Sequence, residues 1–301
     1  MNITEEINIL KEQKNAIILA HNYQLGEVQD IADILGDSLD LSKQAKNTDK
    51  EIIIFAGVRF MAETAKILSP HKKILLPVYG AGCPMADMVT AKDLINFKKE
   101  FPDYAIVSYV NTTAEVKAVS DVCCTSANAV KIVQNYPSDK ILFVPDKNLG
   151  SYVKEKVIDK DIKLWNGFCN VHLGFNVEDV KKSKEKYPEA VLMVHPEVDF
   201  EIRKEADYIF STNQMVKFVK ESDKKDYLVG TEEGMIYRLK KENPEKNFYP
   251  AGNTIVCENT KKTHLEDILN SLKYEKYEII LDDEIIKNAY KSLDKMLEYS
   301  N

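Results

Sequence analysis

Short continuous apolar runs recur along the chain, separated by stretches whose apolar residues return every three or four positions. The first runs are AIILAHNY (16–23), EIIIFAG (51–57) and KILLPV (73–78). AIVSYVN (105–111), ILFVPD (141–146) and IKLWNG (162–167) follow, and then AVLMVHPE (190–197), DYIFST (207–212), YLVGTE (227–232) and NFYPAG (247–252). This pattern predicts buried parallel strands joined by crossover helices. EVQDIADIL, ANAVKIVQNY and QMVKFVKE carry helical spacing, with Gly36 placed to cap the first of them. The expected organisation is three similar α/β units, 1–88, 89–174 and 175–261, with a helical tail, 262–301, packing back on the first. No linker or low-complexity segment interrupts the series.

Polar residues repeat with the same period. His21 and Tyr23, Tyr109 and Asn111, and His195 and Glu197 are three i, i+2 pairs; Tyr109 follows His21 by 88 residues and precedes His195 by 86. Behind them come the hydroxyls of Ser38, Ser126 and Thr212, and then Cys83, Cys169 and Cys257, in the same step of 86 to 88 residues. Internal periodicity of this kind decides the architecture. Three equivalent loops, each bringing one thiol, imply a single shared centre. Each pair closes an apolar run, where parallel sheets bind ligands, and residues i and i+2 of a strand point to one side. A single polar residue at a strand end ordinarily satisfies a turn; three pairs in register call for a site.

Ser38, Ser126 and Thr212 each precede a helical pattern, the place of an N-cap. Helix amino termini present unpaired N–H groups and partial positive charge, so three converging termini predict subsites for carboxylates or phosphates. The periodic cysteines lie in GAGCPMA, NGFCNVH and AGNTIVCEN, and no C-x-x-C pair occurs. That argues against a zinc finger, a thioredoxin-like site or an ordinary ferredoxin run. Three thiolates fit an iron–sulfur cluster with one iron left open as a Lewis acid. They also fit zinc with a bound water, as in a lyase or aldolase, and a metal-free binding protein for a phosphorylated metabolite could use the helix termini alone. Cys123 and Cys124 fall outside the period and read as core or near-site residues. His172, three residues beyond Cys169, is either an outer neighbour of the site or a packed core residue.

Composition narrows the classes. The chain has 301 residues, 44% hydrophobic and 30% charged, enough to bury substantial cores. A net charge of −7 with a pI near 5.5 gives no electrostatic reason to expect nucleic acid. The amino terminus has no apolar signal core, and no run reaches the ~18 apolar residues of a membrane span. A cytoplasmic protein is expected, and five cysteines without a framework agree with a reducing compartment. KKSKEK at 181–186 is a solvated helix face.

Along its whole length the chain resembles the quinolinate synthase family. The resemblance is carried by AHNYQ (20–24), GDSLDLS (36–42), GCPMA (82–86), YVNT (109–112), CTSANA (124–129), HPE (195–197), STNQM (211–215), GTEEGM (230–235) and CENTKK (257–262). It implies three pseudo-threefold-related, three-layer α/β/α domains with short parallel sheets and an active site at their junction. The implied reaction condenses iminoaspartate with dihydroxyacetone phosphate to quinolinate, losing phosphate and two waters. A [4Fe–4S] cluster would sit on Cys83, Cys169 and Cys257. Substrate would contact His21, Ser38, Tyr109, Val110, Asn111, Ser126, His195, Pro196, Glu197 and Thr212, and Tyr23, His195 and Glu197 would carry protons. A functional link to an aspartate-oxidising enzyme is also implied. Some relatives have a second cysteine three positions beyond the last ligand; Thr260 stands there, so a regulatory disulfide at that place is ruled out.

Overall fold

The computed structural model describes residues 2–300. Four strands from the first stretch of chain, β1 (Ala16–His21), β2 (Ile34–Gly36), β3 (Ile52–Ala56) and β4 (Lys73–Leu75), form one sheet. The second holds β5 (Ala105–Tyr109), β6 (Val122–Cys124), β7 (Lys140–Val144) and β8 (Asp161–Leu164), and the third holds β9 (Val191–Val194), β10 (Tyr208–Ile209), β11 (Asp226–Gly230) and β12 (Asn247–Pro250). All three sheets repeat one order, β2-β1-β3-β4, β6-β5-β7-β8 and β10-β9-β11-β12. Every pairing is parallel.

The apolar runs are continuous because both sheet faces are covered. Along β3, Ile53 and Phe55 join one core with Leu19, whereas Ile52, Ile54 and Ala56 join another with Ile18 and Ala20. The period-two alternation of a strand thus feeds two layers of helix. In the second sheet, Val107 and Phe143 extend the first of these cores, and Ile106, Leu142 and Val144 pack with Leu94 and Val116 on the other face. The third sheet divides Leu192 and Val194 from Val191 and Met193 in the same way. The protein is therefore α/β, with three helix-flanked parallel sheets.

The edge strands correct one sequence expectation. EVQDIADIL is not a single helix capped by Gly36: the helix Gly26–Ile31 ends early, and Gly36 closes β2, paired with His21. A periodic aspartate sets this turn. Asp33 accepts the Ile18 N–H on Oδ2 at 2.8 Å, Asp121 accepts that of Ile106 at 2.7 Å, and Asp207 accepts that of Leu192 at 2.8 Å. Their own N–H groups return bonds of 3.0 Å to the carbonyls of the same three residues. Each aspartate thus pins a short edge strand to the central one.

The tail is shared between two units, not confined to the first. The helix Leu265–Tyr274 sends Ile268 and Leu272 into the core of Ile7, Ile18 and Ile54. The helix Asp283–Tyr299 places Ala289, Leu293 and Met296 in the core that joins the first and second sheets, and Ser292 Oγ donates to the Lys117 carbonyl at 2.8 Å. Its apolar stripe faces β6, whose Cys123 and Cys124 are wholly buried core residues. Among the described residues, no helix is long and apolar enough to cross a membrane.

Candidate active site

The three polar pairs sit at the carboxyl ends of the innermost strands. His21 ends β1, Tyr109 ends β5, and His195 follows β9 directly. Both histidines are locked by the partner two residues on: the Tyr23 N–H donates to His21 Nδ1 at 3.2 Å, and the Glu197 N–H to His195 Nδ1 at 3.4 Å. The ring proton is thereby assigned to Nε2 in each. Burial lowers both histidines to about 3, against the pull of Glu197, so both rings are neutral N–H donors at ordinary pH.

A cavity of about 580 Å³ lies where the three units meet. All three pairs line it, as do Ser38, Ser126 and Thr212 and the three periodic cysteines. Val110 and Pro196 do not: Val110 is packed into the core, and the Pro196 carbonyl accepts from Arg203 Nη1 at 3.4 Å. Two of the three expected N-caps also move by one residue. Asp37 caps the helix Ser38–Asn47 and Ser211 caps the helix Thr212–Glu221, leaving Ser38 and Thr212 as first helical residues. Ser126 lies in the turn before the helix Ala129–Asn135, where Asn128 Oδ1 takes the Thr125 N–H at 2.6 Å. Where Asp37 and Ser211 take the capping place, the hydroxyls of Ser38 and Thr212 are not needed as caps and line the cavity. Thr212 Oγ1 accepts from Asn22 Nδ2 at 2.7 Å.

Glu197 is the charged centre of this arrangement. Burial opposes its ionisation, but the neighbouring His172, with bonds donated by His172 and Tyr109, outweighs burial and holds it down to about 2. His172 Nδ1 lies 2.8 Å from Glu197 Oε2 and 3.2 Å from Cys169 Sγ; its Nε2 lies 2.9 Å from Thr231 Oγ1. Thr231 in turn meets the Tyr23 hydroxyl at 2.6 Å. Burial and the Glu197 charge push Tyr23 and Tyr109 well above the usual phenol range. The sequence flagged His172 without a role and missed Thr231, whose only signal is its place at the end of the third repeat's YLVGT run.

The thiols suit a shared metal-bound group. Cys83, Cys169 and Cys257 are free and partly exposed, each on a loop that lines the cavity, while Cys123 and Cys124 are sealed away. Burial pushes Cys83 up to about 12 and Cys169 higher than usual, so binding metal there must displace protons. At the place of the absent second cysteine, Thr260 Oγ1 donates to Cys257 Sγ at 3.0 Å. The donor atoms of Cys169, His172 and Glu197 lie within 4.8 Å of one another and could hold a metal ion.

Known proteins give a consistent comparison. The family profile described as quinolinate synthetase A protein matches residues 5–298. The chain is 54% identical to the quinolinate synthase of Caldicellulosiruptor saccharolyticus, over 99% of this chain and 98% of that protein. It is 50% identical to the quinolinate synthase of Alkaliphilus metalliredigens, over 99% and 98% of the two chains, and 52% identical to that of Clostridium kluyveri, over 98% and 97%.

Proposed function

The chain belongs to the quinolinate synthetase A family, and from that premise we propose that it condenses iminoaspartate with dihydroxyacetone phosphate to quinolinate, releasing phosphate and two waters. The observation that carries this reading is the convergence of three strand-end pairs and three thiols on one cavity. Cys83, Cys169 and Cys257 would hold a [4Fe–4S] cluster, which when bound supplies an open iron as Lewis acid for a substrate oxygen.

The protein's own groups divide the remaining work. Substrates that together carry two carboxylates and a phosphate need donors, and the Nε2–H groups of His21 and His195, the hydroxyls of Ser38, Ser126 and Thr212, and Tyr109 and Asn111 supply them. Dehydration and ring closure need protons moved. Glu197, ionised, is the acceptor; Tyr23, which keeps its proton, is the donor; the neutral His195 holds a carboxylate or passes a proton from Nε2. Iminoaspartate hydrolyses in water, so an enzyme that oxidises aspartate must supply it.

Purification without oxygen, with iron and sulfide analysis and a quinolinate assay on the two substrates, tests the proposal. Brown protein with iron, sulfide and product formation is expected. The grouping of Cys169, His172 and Glu197 favours a second reading, a zinc-dependent lyase. Colourless, zinc-loaded and active protein would establish that reading instead, and ligand binding that survives loss of all three thiols would point to a metal-free binding protein.

A further inference from the structure

Cys169 and Cys257 are tied to the fold by the same device. Asp146 stands just past β7, and Glu232 stands just past β11, 86 residues later at the equivalent place in the next unit. Both are wholly buried, and neither lines the cavity. One oxygen of each carboxylate holds the helix that follows: Asp146 Oδ1 accepts the Leu149 N–H at 2.7 Å, and Glu232 Oε2 accepts the Gly234 N–H at 2.7 Å. The other oxygen reaches across to the cysteine: Asp146 Oδ2 accepts the Cys169 N–H at 3.0 Å, and Glu232 Oε1 accepts the Cys257 N–H at 3.1 Å. Backbone bonds of 2.9 Å from Lys147 to Gly167 and 3.0 Å from Glu233 to Ile255 run alongside. In the first unit the analogous backbone bond, Arg59 to Ala81 at 2.8 Å, is kept, but the side chain beside it is Val58, which offers no acceptor.

We infer that Asp146 and Glu232 are positioning residues for metal binding, each fixing the main chain of one cysteine so that its thiol is presented to the shared centre. The inference rests on the reading that the three cysteines hold a cluster. A carboxylate can accept from two amides at once, one on each oxygen. The amide of Asn or Gln has a single oxygen and turns an NH₂ group toward the second N–H, so Asp146→Asn and Glu232→Gln keep the volume and lose one of the two amide bonds, Glu232→Gln also giving up the charge that pairs with Lys261 at 3.1 Å. Groups that orient a metal ligand from behind are worth roughly 10- to 100-fold in metal affinity.

The test uses anaerobically reconstituted holoprotein. Iron and sulfide per chain, the rate of iron release to a chelator, and the melting temperature are measured for the parent, Asp146→Asn, Glu232→Gln and Asp207→Ala. The last loosens an edge strand and touches no cysteine. Iron release about 10-fold or more faster in the two carboxylate variants, with Asp207→Ala close to the parent, is the expected result. Release at the parent rate in both carboxylate variants overturns the inference and leaves the cluster reading intact; equal acceleration in Asp207→Ala overturns it too, because general loosening then suffices. A parent that binds no iron and sulfide sinks both readings together. Where Glu232→Gln does not fold, Glu232→Asp, which keeps the charge and shortens the reach, is measured under the same criteria.

Discussion

His172 Nδ1 meets Glu197 Oε2 at 2.8 Å, with both side chains almost completely buried. The contact joins the short helix after Cys169 to the end of the third unit's central strand, so the charge on Glu197 is set by a residue from another repeat. A lone carboxylate in so dry a place would be driven toward its neutral form; the imidazole partner reverses that.

Replacing Glu197 by Gln keeps the size and removes the proposed proton acceptor. Turnover at saturating substrate should fall by roughly 100-fold or more with the cluster retained. Ser126→Ala removes only a neutral donor from a proposed anion subsite, so it should weaken substrate binding by about 1 kcal/mol and leave measurable turnover. Normal turnover of Glu197→Gln with a full cluster would reduce Glu197 to a structural role.

The periodic and the sealed cysteines should separate cleanly. Cys83→Ser, Cys169→Ser and Cys257→Ser should each lose the cluster, while Cys123→Ser and Cys124→Ser keep it, as measured by iron per chain. Full iron in any of the first three would remove that residue from the ligand set.

Acid should destabilise the fold in a definite window. His21 and His195 are lowered to about 3 in the folded protein, against about 6.5 in an unfolded chain. Between those values the unfolded chain binds protons that the folded one refuses. Stability is therefore fully present above about pH 6.5 and is lost as pH falls toward 3, at up to about 1.4 kcal/mol per pH unit for each histidine. Glu197, lowered to about 2, adds loss in the same direction below its ordinary range. Denaturant midpoints from pH 7.5 to 5 should decline more steeply in the parent than in His195→Asn; parallel slopes would contradict the assignment.

The aspartates that pin the edge strands should matter to stability alone. Asp207→Ala is the cleanest case, since Asp33 and Asp121 also pair with Lys11 and Lys98. It should cost about 1–3 kcal/mol of unfolding free energy with unchanged cluster content per folded chain. A denaturation curve that coincides with the parent's would show the bond to be idle.

The sequence by itself determined the threefold repeat, the central strands, and the polar pairs and thiols that recur with them. These features are local in the chain: burial on both faces forces continuous apolar runs, and a shared centre forces equivalent residues into step. The strand β2 escaped because its Ile34 and Leu35 also continue the helical spacing of EVQDIADIL, and β6 was not read as a strand, although Asp33, Asp121 and Asp207 repeat like the rest. Capping misled by one position because Asp37 and Ser211 stand beside hydroxyls that could serve as well. Only the tertiary structure decided which charge neighbours which, as with His172 at Glu197 and Thr231 at Tyr23, and which carboxylates hold the cysteine loops. Those bonds join residues that no local sequence pattern links, and their strength comes from burial that exists only in the folded protein.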